Sequence, residues 1–115
     1  MGDRDGRGNR KQQNVVRFIG PGLKVAENDD EFDKIVKYAG SKAVIIDFAA
    51  SRCGPCKVIG PVFDALAEQT PQDVFVKVDV DQCRGTASKF KVEAMPTFKL
   101  LHMGKEMTSI QGANE

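Results

Sequence analysis

The sequence predicts an α/β domain built on a single sheet, parallel in part and closed by an antiparallel hairpin. Three observations carry this. The chain has 115 residues, 41% of them apolar, enough for one modest core and too few for two domains. Segments with strand patterning alternate with segments of helical spacing, in the order strand, helix, strand, helix, strand, helix, strand, strand after an N-terminal extension. The last two strand candidates, Thr97 to His102 and Met107 to Ile110, flank Met103-Gly104-Lys105-Glu106, the spacing of a hairpin with glycine in its loop.

Residues 1–13 hold no apolar residue after Met1 and read as a solvated polar tail. Residues 14–22 form an extension in which Val15 to Ile19 is a candidate edge strand, ended by the turn signal Gly20-Pro21-Gly22. The domain proper is expected over 23–115. It opens with a short strand, Leu23 to Ala26. Asn28 and Glu31 have capping-box spacing and predict a helix start. Phe32, Ile35, Val36 and Ala39 give that helix an apolar face, and Gly40 is placed to end it in the left-handed conformation.

Ala43 to Ala50 is β-branched and apolar at its centre, which predicts a strand covered on both faces. A helix follows to about Gln69, its predicted face made by Val58, Ile59, Val62, Phe63 and Leu66, with Pro61 bending it without ending it. Val74 to Val80 alternates as a strand should. Cys83, Ala87 and Phe90 suit a short helix.

Charge and apolar patterning exclude several classes. With 17 basic and 16 acidic residues there is no electrostatic basis for binding nucleic acid. No apolar run approaches the roughly 20 residues of a membrane span. Three cysteines do not make the disulfide framework of a small secreted protein, so a reducing compartment, the cytoplasm by default, is expected.

Cys53-Gly54-Pro55-Cys56 stands where the central strand gives way to a helix. Residues three apart on a helix are neighbours, so these sulfurs can bridge with little backbone movement. The first also meets the positive end of the helix dipole and unpaired backbone N–H groups, which favour thiolate. Cys53 is therefore the expected nucleophile and Cys56, one turn in, the resolving thiol. Pro55 suits an early helical position. A zinc site would need four ligands, and only Cys83 and His102 remain, at irregular spacing, so no metal is expected. Two simple packed cysteines are the other alternative.

Asp47-Phe48-Ala49-Ala50-Ser51-Arg52-Cys53-Gly54-Pro55-Cys56-Lys57, followed by Pro61, Val78-Asp79-Val80-Asp81, Met95-Pro96-Thr97-Phe98 and Gly112-Ala113, resembles the thioredoxin family from about Leu23 onward. The stretch from Asp79 to Ala87 is most similar to cytosolic eukaryotic members and to N-terminal domains of larger thioredoxin-like proteins. The resemblance implies a thioredoxin fold, a mixed sheet flanked by helices. It implies a dithiol–disulfide oxidoreductase whose Cys53 attacks a protein disulfide and whose Cys56 resolves the mixed disulfide. Asp47 then matches a buried carboxylate that takes the resolving proton, and Lys77 a position near it. Pro96 matches a cis proline, with the backbone of Met95 receiving an extended substrate chain, and Arg52, Gly54, Pro55 and Gly112 bordering it. The implied partners are disulfide-containing proteins and thioredoxin reductase, which supplies NADPH electrons indirectly to a monomer that binds no cofactor itself.

Some positions depart from the family. Arg52 replaces a tryptophan and adds a cation beside Cys53, expected to lower its pKa further. Cys83 is either a small buried hydrophobe or a regulatory thiol. The sequence stops where the family's last helix normally begins, so that helix is expected to be missing. The rival reading is a non-catalytic thioredoxin-fold interaction module of a larger protein, and a disulfide-forming isomerase domain is a third.

Overall fold

The structure, a computed structural model, describes residues 17–20 and 23–111. Along them run β1 (Arg17–Gly20), β2 (Leu23–Ala26), α1 (Asp29–Ala39), β3 (Ala43–Ala49), α2 (Gly54–Gln69), β4 (Val74–Asp79), α3 (Arg84–Lys89), β5 (Thr97–His102) and β6 (Lys105–Gln111). The described strands form one sheet in the order β1-β2-β4-β3-β5-β6. β2, β4 and β3 are mutually parallel, whereas β1 pairs antiparallel with β2, and β5 antiparallel with both β3 and β6. The polar tail and Val15 and Val16 lie outside the described residues, as does Gly112. Among the described residues no helix is long and apolar enough to cross a membrane.

α1 starts as its sequence dictates. Asn28 Oδ1 accepts the Glu31 N–H at 2.8 Å, but the Glu31 carboxylate takes the N–H of Glu27, also at 2.8 Å, so the box closes one residue further out than expected. Three acidic residues in the first turn complement the helix dipole. The expected left-handed ending is corrected. Gly40 has φ 57° and ψ −119°, and Lys42 N–H donates to Ala39 O at 2.9 Å, a type II′ turn.

The face of α2 also differs from expectation. Cys56, Gly60, Phe63 and Ala67 are buried, while Val58, Val62 and Leu66 are exposed. Small residues let the helix lie close to the sheet, and the bulkier apolar side chains flank the contact. Ile59, Val62 and Leu66 line an apolar groove of about 250 Å³ with Ile45, Phe63 and Phe98. Pro61 lies inside the helix, which continues past it as expected.

The hairpin is tighter than expected. His102 pairs with Lys105, leaving a two-residue Met103-Gly104 turn with φ of 56° and 80°, the signs of type I′. The core has two sides. Phe32, Ile35 and Ile46 pack with Val76 and Leu101 on one side of the sheet, and Leu23, Phe63, Ala67 and Phe75 form the other. β4 lies between β2 and β3, so Val74, Phe75 and Val76 are buried in succession despite the alternating pattern.

Candidate active site

β3, covered on both faces, ends at Ala49 and delivers the chain to the motif. Cys53 N–H donates to Ala50 O at 3.0 Å, and Cys53, with φ −88° and ψ 112°, is the N-cap of α2 rather than a residue of its first turn. Its Sγ accepts the N–H of Cys56 at 3.1 Å. Cys53 and Cys56 are joined by a disulfide, with Cα atoms 5.3 Å apart, well within the usual range. Pro55 stands in the first turn, where its missing N–H costs no helical hydrogen bond. That turn holds no acidic residue to offset the positive end of the dipole. A Cβ at Gly54 would meet nothing within 4 Å, so packing within the chain does not demand this glycine.

The two sulfurs differ in access. Cys53 is half-buried and Cys56 buried, the asymmetry expected of an attacking and a resolving thiol. Beside them a cavity of about 330 Å³ is bordered by Asp47, Cys56, Lys57, Gly60, Lys77 and Asp79. Asp47 is 3% exposed, and its Oδ1 has no hydrogen-bond partner among the described residues. Burial pushes its carboxyl up from 3.8 to about 6, opposed by the Lys77 ammonium and assisted by the Asp64 carboxylate. Lys77 faces Asp47 across the β3–β4 register, and its Nζ lies 2.7 Å from Asp64 Oδ1.

The other predicted residues fall at the same end of the sheet or away from it. Phe48 pairs with Thr97, so Met95 and Pro96 precede β5 at the sheet end where β3 releases the motif. The Met95–Pro96 bond is cis. Thr97 Oγ1 donates to Ala94 O at 2.6 Å, fixing the turn before β5. Arg52 is not a free cation: its guanidinium pairs with the Asp81 carboxylate, both side chains being exposed. Cys83 is fully buried in the core, its Sγ donating to Ala26 O at 3.4 Å. Burial pushes its thiol up to about 11. A regulatory thiol needs exposure and ionisation, and this one has neither.

Asp64 escaped the sequence reading, and Asp81, though part of the Val78-Asp79-Val80-Asp81 match, was given no partner there. Each is one carboxylate among 16 acidic residues, and only the fold brings it to its partner. No cluster of three His, Cys, Asp or Glu among the described residues could hold a metal ion.

Comparison with known proteins agrees with this geometry. The family model Thioredoxin matches residues 24–115. The thioredoxin of Oryctolagus cuniculus is 41% identical over 93 residues, covering 81% of this chain and 89% of its own. The X-ray structure of Fasciola hepatica thioredoxin superposes with a TM-score of 0.74 at 40% identity, covering 78% of this chain and 86% of that one. A chain in the crystal structure of a complex of ferredoxin:thioredoxin reductase with thioredoxin f2 gives 0.77 at 33% identity, covering 84% and 88%. A disulfide-bonded cysteine pair whose first member caps a helix, beside a buried carboxylate and on a chain related over most of its length to these proteins, makes the conclusion plain: this chain belongs to the thioredoxin family and is a disulfide oxidoreductase.

Proposed function

We propose that this chain reduces disulfides in protein substrates through Cys53 and Cys56. In the dithiol form the Cys53 thiolate attacks one sulfur of a substrate disulfide. A bond forms between Cys53 and that sulfur, the substrate bond breaks, and the other substrate sulfur leaves as a thiolate and takes up a proton. Cys56 then loses its proton to the Asp47 carboxylate and its sulfur attacks Cys53 Sγ, expelling the second substrate sulfur. Two electrons pass to the substrate, and Cys53 and Cys56 are left as a disulfide.

The observation that carries this reading is the junction of β3 and α2. There a half-buried cysteine caps the helix, and a buried one stands beside a cavity that a buried carboxylate also borders. Met95 and Pro96, just before β5, offer backbone to an extended substrate segment, with Arg52, Gly54 and Pro55 on the other side of it. A relative is described in complex with ferredoxin:thioredoxin reductase. By analogy a reductase regenerates the dithiol here; NADPH as its electron source, in a reducing compartment such as the cytoplasm, is suggested by membership of the thioredoxin family and not by that complex.

The test is NADPH consumption by this chain with a thioredoxin reductase and a disulfide-bonded protein, with Cys53→Ser as control and the fold of both checked. Turnover that vanishes in the variant is expected. A folded wild-type chain without turnover would defeat the reading.

A further inference from the structure

Asp47 and Lys77 lie opposite one another on the parallel strands β3 and β4. Lys77 is the cation that favours the ionised form of Asp47, but its ammonium is engaged elsewhere. From α2, Asp64 reaches it at 2.7 Å, an ion pair without hydrogen-bond alignment. Gly60 and Asp64 are four apart and share one side of α2. A Cβ on Gly60 would lie 4.0 Å from Lys77 Nζ, an ordinary contact, so the ammonium sits against this side of the helix without requiring a glycine there. One cation thus serves two carboxylates, one almost fully buried and one 43% exposed.

Two physical consequences follow. Asp64 draws the ammonium toward α2, and it adds a negative charge of its own. Both oppose ionisation of Asp47. The other charged groups at this cavity are Lys57 from α2 and Asp79 from β4. β2 contributes only Val25 and Ala26 to it, and β5 sets Phe98 opposite Asp47.

We propose that Asp64 is a positioning residue of the exchange reaction: it anchors the Lys77 ammonium and thereby governs proton transfer between Cys56 and Asp47. This rests on the role given to Asp47 above. Asp64 touches neither sulfur in the reaction and acts only through Lys77.

The test reads Asp47 directly, by carboxyl-carbon NMR titration of the oxidised full chain. In Asp64→Asn, the Asp47 midpoint is expected to fall by about 0.5–1 pH unit, the effect of removing one nearby carboxylate and releasing one cation. The acidic limb of the pH–rate profile for disulfide reduction should move down with it, and Asp64→Glu should restore both. Lys77→Met, which removes the cation itself, should move the midpoint up. An Asp47 midpoint unchanged in Asp64→Asn overturns the proposal. So does a midpoint that moves while the rate profile stays in place. If Asp47→Asn also leaves the profile in place, the fault lies in the role of Asp47 rather than in the Asp64 contact.

Discussion

Cys53 Sγ accepts the backbone N–H of Cys56 at 3.1 Å, so the first cysteine of the motif is also the cap of the helix that carries the second. A cap of this kind is a better acceptor as a thiolate than as a thiol, since the amide and the helix dipole both favour negative charge. The contact therefore links how the helix starts to which sulfur attacks.

Arg52 adds to that field only as far as Asp81 allows. Freeing its guanidinium by Asp81→Asn should speed alkylation of reduced Cys53 at neutral pH, and Arg52→Trp should slow it. Each change is expected to be about two- to fivefold, the range of a single charge acting near a helix end. Iodoacetamide kinetics on the two variants measure this. Identical rates would remove Arg52 from the account of Cys53 reactivity.

Asp47 gives stability a pH dependence of predictable sign. Its carboxyl lies at about 6 in the fold against an ordinary 3.8, so the fold binds that proton more tightly than the unfolded chain does. The contribution is fully present below 3.8 and is lost as pH rises through about 6. Its size is at most about 3 kcal/mol. Asp47→Asn should therefore raise stability at neutral pH by about 1–3 kcal/mol and flatten the profile across that window. Urea unfolding across the acidic range tests it, and a variant as pH-dependent as the wild type would refute it.

Asp29 ties α1 to α3. Its Oδ1 accepts from Thr86 Oγ1 at 2.7 Å and Thr86 N–H at 2.8 Å, and its Oδ2 accepts from Gly85 N–H at 3.1 Å. The Thr86 bonds hold its carboxyl below the usual range. That contribution is present at neutral pH and is lost as pH falls. Asp29→Ala should cost about 1 kcal/mol, the value of a helix cap. A Cβ at Gly85 would lie 2.7 Å from Asp29 Oδ2, so Gly85→Ala should also destabilise, but less once Asp29 is gone. A double-mutant cycle by thermal denaturation should give a coupling of about 0.5–1 kcal/mol, and strict additivity would contradict the contact.

The side of α2 that faces the sheet is open to a direct test. Phe63 is 3% exposed, meets Phe75 edge to face and stacks against Phe98, whereas Leu66 is 49% exposed. Phe63→Ala should cost about 3–5 kcal/mol and Leu66→Ala less than about 1 kcal/mol. Equal costs in guanidinium unfolding would restore the face that periodicity suggests.

That helix marks where the sequence stops being legible. Hydrophobic periodicity weights large side chains, and here the buried positions include Gly60 and Ala67, which signal close approach only once the sheet is known. The two-residue hairpin turn was hidden because Met103 adopts a positive φ, which its side chain disfavours and the strand twist imposes. By contrast, the Asn28 cap and the dithiol at the strand–helix junction were readable because each depends on neighbours within one turn. Asp64 with Lys77, Arg52 with Asp81 and Asp29 with Thr86 were not. Each joins residues from different elements, and nothing local marks either partner.

The central claim is that Cys53 attacks and Cys56 resolves. Incubating the Cys56→Ser and Cys53→Ser variants with a disulfide-bonded protein, and mapping any adduct by mass spectrometry, tests it most directly. The account predicts a mixed disulfide through Cys53 that persists in Cys56→Ser and is released by dithiothreitol, with none in Cys53→Ser. A stable adduct through Cys56, with Cys53 unreactive, would contradict it.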